Sequence, residues 1–404
     1  MKKIITLLLI VFAQSLQLAI NAQTTRADLA QIRVGKDGNF KYWNQDSPVL
    51  QKLKDFVARV TDEGSADFVP VKDRLATFDV DGTLLCETAP YYCNWMFSFH
   101  RYLHDDTFTP EAADRALMQE MEEYVIANHA SKGEWGDIQQ VLQAKAFRGY
   151  TFDEYAAYMS NYFETEPVMG LTNLTWGTAL YWPMIEAVSY LIANDFKVFL
   201  CSGVDRDICR VLTKDIFDIP PYQMLTSDVY YVMEGQDEWK ERSEMESYQY
   251  TAGERIERGD FKQLCTASNK IVYIRRELGM KPILSWGNST GDFPMFHYTN
   301  IDNPRPHISF CLLCDDLERE LGNMEKAERC RKACEENGWV PVSMRDEWAT
   351  IYGDDVKRAD NPTSVQRVEN GTADDSATYN LAGQVISEGK TGSVVIKDGR
   401  ATRI

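Results

Sequence analysis

Apolar residues gather in short runs along the chain: Leu75 to Phe78, Phe196 to Cys201, Pro282 to Trp286, Ile308 to Leu313 and Trp339 to Val342. Stretches of helical periodicity lie between them. Met184, Ala187, Val188 and Leu191 follow Pro183, a residue suited to a first helical turn. Ile271, Ile274 and Leu278 form a stripe with Asn269 as its expected cap and Gly279 as its stop. Short buried strands alternating with helices predict an α/β fold, a parallel sheet covered by helices on both faces.

Residues 88 to 180 break this alternation, because no strand-like run occurs in them. Leu117, Met121, Tyr124 and Val125 share one side of a segment begun by Thr109-Pro110, and Thr151-x-x-Glu154 is a capping box ahead of Tyr155, Tyr158, Met159 and Tyr162. The expected organisation is a core at 23–87 and 181–354 with a helical insert at 88–180 packed over the end of the sheet.

The two ends of the chain read differently. Lys2 and Lys3 precede an apolar run from Ile4 to Ala13 and a polar stretch ending in Ile20-Asn21-Ala22, the pattern of a secretory leader over residues 1–22. Gln14, Ser15 and Gln17 interrupt the run short of the ~20 apolar residues that span a bilayer, so no membrane span is expected. An exported protein, periplasmic or secreted to the cell surface, is the expectation. Residues 355–404 begin as a polar, acidic linker. They end in two strand-like stretches joined by a turn, Tyr379 to Ile386 and Gly392 to Arg400. This end looks like the C-terminal sorting segment of type IX secretion cargo, which would make the export machinery a partner; a tail that only adds a hairpin is the alternative.

With 44% hydrophobic and 12% aromatic residues, the 404-residue chain can bury enough apolar surface to offset its ordering entropy. The formal charge is -18, and loss of the two leader lysines makes it two units more negative. Such a field repels nucleic acid, so no nucleic-acid partner is expected, and any phosphate site must supply its own positive charge. The nine cysteines include Cys311-x2-Cys314 and Cys330-x3-Cys334, a zinc-like spacing. Cys311, however, lies in a run that reads as a buried strand, so a disulfide or plain buried thiols are expected there.

The chemistry concentrates after the strand-like runs. Phe78-Asp79-Val80-Asp81-Gly82-Thr83 sets two carboxylates two residues apart at a strand end, and Gly82 permits main chain to come close to a bound phosphate. One carboxylate can attack phosphorus while the other delivers a proton to the leaving oxygen. A calcium loop lacks the further ligands and the closing Glu. Leu200-Cys201-Ser202-Gly203 offers a hydroxyl and an amide at an expected helix start, Lys270 stands in a first helical turn, and Trp286-Gly287-Asn288-Ser289-Thr290-Gly291-Asp292 closes another strand. In an open parallel sheet such strand ends converge on one crevice.

At these residues the chain resembles the haloacid dehalogenase (HAD) superfamily over roughly residues 45 to 353, with its four motifs in order. The likeness is greatest to the phosphoserine phosphatase-like and phosphorylcholine phosphatase-like branch. The resemblance implies a HAD-like Rossmannoid sheet with an inserted helical cap, and a Mg2+-dependent phosphatase. By that likeness Asp79 is nucleophile and metal ligand, and Asp81 is the acid/base that also offers its carbonyl to the metal. Ser202, with Gly203, Gly82 and Thr83, binds the phosphoryl group, Lys270 neutralises the intermediate, and Asn288 and Asp292 complete the metal site. Relatives carry aspartate where this chain has Asn288, which retains an amide oxygen but no charge.

The expected substrate is a small phosphate ester. Glu87, followed by Tyr91, Tyr92 and Trp95, suits an amine-bearing head group, although the rings also suit plain packing at the insert's hinge. Arg206 is expected to meet a substrate anion or else Asp205 or Asp207. A catalytically silent binding or surface protein and a phosphotransferase are the competing readings. His100 and His104 lack a third ligand, so no metal is expected between them.

Overall fold

The computed structural model describes residues 23–87, 90–235, 238–239 and 249–359, and four short strands between 378 and 403. The leader at 1–22 and the linker at 360–377 lie outside the described residues. Helix α1 (Pro48–Thr61) starts at Ser47, whose hydroxyl accepts from Leu50 N, and buries Val49, Leu53, Phe56, Val57 and Val60. Strand β1 (Leu75–Phe78) follows, fully buried. The chain then forms α2 (Cys93–Phe99), α3 (Ala112–Asn128), α4 (Trp135–Ala146) and α5 (Phe152–Thr165), with the Thr151/Glu154 capping box formed in both directions. After these come α6 (Trp182–Ala193), β2 (Lys197–Asp205), α7 (Arg206–Thr213), β3 (Met224–Met233) and β4 (Ile256–Gln263). The remaining elements are α8 (Ser268–Leu278), β5 (Leu284–Gly287), α9 (Phe293–Asn300), β6 (Ile308–Leu313), α10 (Met324–Asn337) and β7 (Val340–Ser343).

The fold is mixed α/β, with a seven-stranded sheet in the order β4-β3-β2-β1-β5-β6-β7. Every pair is parallel except β3–β4. Helices cover both faces, and strand alternation shows it. Leu200, Met224 and Leu312 pack with α1, α6 and α7, whereas their neighbours Cys201, Leu225, Cys311 and Leu313 pack with α8, α9 and α10. The chain moves from β1 through β2 to β3 along one face and then returns to the other side of β1 along the opposite face. This reversal opens a crevice at the carboxyl ends of β1 and β5.

Several expectations are corrected. Strands β3 and β4 are not among the apolar runs read from the sequence: Thr226, Ser227 and Asp228 split β3 into Met224-Leu225 and Val229 to Met233, and Glu257, Arg258, Asp260 and Lys262 fill β4. They form through pairing with each other, and β4 is tied to the helical segment by Gly149 N to Arg258 O (2.9 Å) and Arg258 N to Tyr150 O (2.8 Å). Ser202 lies inside β2 rather than at a helix start, since the strand runs on to Asp205 and α7 begins at Arg206. Asn269 does not cap α8; its amide donates to Leu264 O (2.8 Å), and Ala267, at φ 48°, occupies the cap position. Among the described residues the C-terminal tail shows four short antiparallel strands rather than two: β8 (Thr378–Asn380), β9 (Val385–Ile386), β10 (Val394–Lys397) and β11 (Arg400–Arg403).

Candidate active site

Asp79 leaves the end of β1 with its amide bonded to Trp286 O (2.9 Å), which fixes its height against β5. The next residues form one tight turn: the amides of Thr83, Leu84 and Leu85 all point at Val80 O, at 3.1, 2.8 and 3.0 Å. Gly82 sits at its apex with φ 71°, and a Cβ there would fall 1.8 Å from Asn288 Nδ2 and 2.4 Å from Glu87 Cδ. Glycine is therefore required twice, by its left-handed backbone and by the wall it faces.

Lys270, from the first turn of α8, crosses beneath β2 and reaches Asp79. Its ammonium donates to Asp79 Oδ1 (2.7 Å) and Cys201 O (2.5 Å) and pairs with Asp292 Oδ1 (2.7 Å). Residues separated by almost two hundred positions thus share one buried proton carrier. The flanking carboxylates hold the ammonium well above its ordinary range against the opposing effect of burial. Burial and the neighbouring Asp292 push the Asp79 carboxyl up, opposed by Lys270 and by a hydrogen bond with Ser202. Asp292 is oriented by its other oxygen, which accepts from Asn288 N (2.9 Å), Ser289 N (3.0 Å) and Ser289 Oγ (3.1 Å). Gly287 is needed beside it, because a Cβ would lie 2.5 Å from Asp292 Cγ.

Asp81 differs in its surroundings. Its Oδ1 is buried and has no hydrogen-bond partner among the described residues. Burial and the charge of Asp79 raise its carboxyl well above the usual range, a shift that favours the protonated form. Both side-chain atoms of the Asn288 amide and Thr83 Oγ1 are likewise buried without partners among the described residues. An unsatisfied buried polar atom costs about 1–3 kcal/mol, so several around one turn mark a place built for a ligand.

The donor set bears on the metal. Asp79 and Asp292 carboxylates, the Asp81 carbonyl and the Asn288 amide oxygen are hard oxygen donors, the kind magnesium takes. The orphaned Asn288 amide fits such a cation. Among the described residues no three carboxylate, imidazole or thiolate side chains gather as metal ligands.

The remaining expected residues divide. Glu87 is buried at the same wall, but an ion pair with Lys326 of α10 engages it. Gly203 O accepts from Ser227 Oγ (2.7 Å), and a Cβ at Gly203 would make only ordinary contacts. Arg206 is not brought to the Asp79 cluster. It pairs with Asp228 (3.1 Å) and lines a groove with Leu75 and Lys197, at the amino-terminal ends of β1 and β2, because its side chain runs back along β3. Asp205 and Asp207 are both taken by the buried Arg258. Tyr91 and Tyr92 lie 4.4 Å apart and Tyr91 and Trp95 5.3 Å, with Tyr91 OH donating to Ser131 Oγ (3.1 Å). His100 and His104 go separately to Glu166 (3.4 Å) and Glu122 (2.8 Å). All nine cysteines are buried, and no disulfide joins any two of the described residues.

Lys326 escaped the sequence reading, although a signal was present. It stands in the first turn of α10, three residues after the cap Asn323, where the helix dipole disfavours a cation by about 0.3–1 kcal/mol. Burial pulls its ammonium down to about 8 against the attraction of Asp79 and Asp81.

No family model matches the sequence, and no curated protein matches it. Among solved structures, the chain is similar to cytosolic 5'-nucleotidase IIIB bound to cytidine, at 10% identity over 74% of this chain and 88% of that one (TM-score 0.43). It is similar to a phosphoserine phosphohydrolase-like protein from Francisella tularensis subsp. tularensis SCHU S4, at 14% identity over 68% and 97% (TM-score 0.35). A protein of unknown function from Bordetella pertussis Tohama I aligns at 13% identity over 67% and 97% (TM-score 0.40).

Proposed function

We propose that this chain is a HAD-type phosphatase, a Mg2+-dependent hydrolase of a small phosphate ester that works through an aspartyl-phosphate on Asp79. The observation that carries the reading is the meeting of Asp79, Lys270, Ser202 and Asp292 at the carboxyl ends of neighbouring strands, with the Asp81 carboxyl pushed up by burial beside them. An Asp79 oxygen attacks phosphorus and the ester P–O bond breaks. Asp81 gives its proton to the departing alkoxide. Water then attacks the phosphorus of the acyl phosphate while Asp81 takes back a proton, which restores the Asp79 carboxylate and releases phosphate. Lys270 holds the Asp79 carboxylate in place and keeps positive charge beside the displaced oxygens, and Ser202 orients the same carboxylate. When bound, the divalent cation supplies further positive charge to the phosphoryl oxygens.

Asp81 favours phosphoryl chemistry, since an acid is of use only where the leaving oxygen needs a proton. The leader pattern at 1–22 supports action outside the cytoplasm, and the tail supports handling by an export machinery. A small phosphorylated substrate suits a crevice enclosed by the helical segment. An amine-bearing head group would have to displace Lys326 from Glu87.

The test is hydrolysis of 4-nitrophenyl phosphate by the mature chain with magnesium, wild type against Asp79→Asn. Turnover that disappears in the variant is the expected result. Equal turnover in both, or none with any phosphomonoester and divalent cation, refutes the reading and favours a binding role.

A further inference from the structure

Two N–H groups of Lys270 are given to Asp79 and Cys201 O, and its ammonium lies 2.7 Å from Asp292 Oδ1 as an ion pair. An ammonium has three N–H groups, so at most one is left for an incoming phosphoryl oxygen, and Asp292 competes for it. The acidic side of the crevice is heavy: Asp79, Asp292 and Glu87 are all buried there. Position 288, at the same wall, carries a neutral amide.

Lys326 enters from α10 at that wall. Glu87 is the acceptor of its ammonium among the described residues. The Glu87 carboxyl and the Asn288 amide both press on Gly82 at the apex of the Asp79–Asp81 turn. One helical turn beyond Lys326, Cys330 Sγ lies 3.5 Å from Asn288 O, which fixes α10 against the loop that follows β5. A lysine whose side chain is only 13% exposed in a first helical turn goes against the helix dipole, and such breaks of local preference concentrate at functional sites. The chain could have neutralised Glu87 by replacing it with glutamine. Instead it keeps both charges at a crevice that must receive an anion.

We propose that Lys326 is a second anion-binding residue of this crevice: held by Glu87 beside Asn288, its ammonium takes an oxygen of the incoming phosphoryl group. The inference rests on reading the crevice as a phosphoryl site, and it assigns to α10 a contact beyond the one that Lys270 can spare. Glu87 thereby acts as a positioning residue that keeps the ammonium at the Gly82 wall until the anion arrives.

Orthophosphate binding to the full chain in EDTA, followed by calorimetry, tests this for wild type, Lys326→Met, Lys326→Arg and the double variant Glu87→Gln/Lys326→Met. The double variant removes both charges with little change in volume, so it keeps the fold where the single Met variant strands a buried carboxylate. A charged hydrogen bond lost should weaken orthophosphate by roughly tenfold or more in the double variant, with its thermal midpoint held, while Lys326→Arg stays within about threefold of wild type. Wild-type affinity in the double variant would overturn the proposal and leave Lys326 as the neutraliser of Glu87; so would a wild type that binds no orthophosphate. Asp79-dependent hydrolysis with Lys326-independent phosphate binding sinks this inference alone. Lys326-dependent phosphate binding without Asp79-dependent hydrolysis sinks the catalytic reading alone.

Discussion

Replacing Asp81 by asparagine separates proton donation from everything else this turn does. The two side chains have nearly the same shape, so the packing around Gly82 and Val80 should stay as it is. What changes is the proton. The Asp81 carboxyl is pushed up by burial and by Asp79, and its Oδ1 faces no described partner, so under the proposed mechanism it is the group that gives a proton to the leaving oxygen. General acid catalysis of this kind contributes roughly 10²–10⁴ in rate, or about 3–5 kcal/mol at ~1.36 kcal/mol per decade. An alkyl phosphate, whose alkoxide leaves poorly, should lose that whole factor in kcat. For 4-nitrophenyl phosphate, whose phenolate leaves without help, the first step should slow by about tenfold at most, with any further loss in hydrolysis of the aspartyl-phosphate. The assay is steady-state phosphate release from both substrates, with a pre-steady-state burst of nitrophenolate to separate the two steps. Equal losses for both substrates in the first step would refute the assignment of Asp81 as the acid.

Other consequences can be measured on the same protein. Gly82→Ala places a Cβ 1.8 Å from the Asn288 amide at φ 71°, so it should abolish phosphatase activity and lower stability by about 2 kcal/mol or more, read by urea unfolding; a wild-type midpoint would contradict the described wall. Glu186 of α6 is buried while it accepts from the amides of Lys41 (2.7 Å) and Tyr42 (3.0 Å), and burial raises its carboxyl to about 7. A folded-state value above the unfolded one near ~4.5 means that its stabilising contribution is complete below that pH and is lost as pH rises through about 7. The difference in unfolding free energy between wild type and Glu186→Gln should therefore fall by up to about 3 kcal/mol from pH 4.5 to 8, and a flat difference would refute the shift.

The sequence by itself carried the parts whose physics is local. The runs at Leu75–Phe78 and Ile308–Leu313 became strands with those same bounds, since a strand buried on both faces is mostly apolar. The Thr151 capping box and the Gly279 stop are set by side chains a few residues away, and both formed. The meeting of Asp79, Lys270 and Asp292 was legible because each follows a strand or opens a helix, and an α/β sheet brings such ends together. Only the tertiary structure could decide what depends on distant partners. Strand β4 is largely polar and exists because β3 offers it an edge and because Asp205 and Asp207 neutralise its buried Arg258. Arg206 looked like a site residue, yet it turned to Asp228, a partner 22 positions along the chain on β3. Lys326 meets Glu87 across 239 positions. No short-range pattern encodes such a meeting, because the field that holds a buried charge comes from whatever the completed fold places beside it.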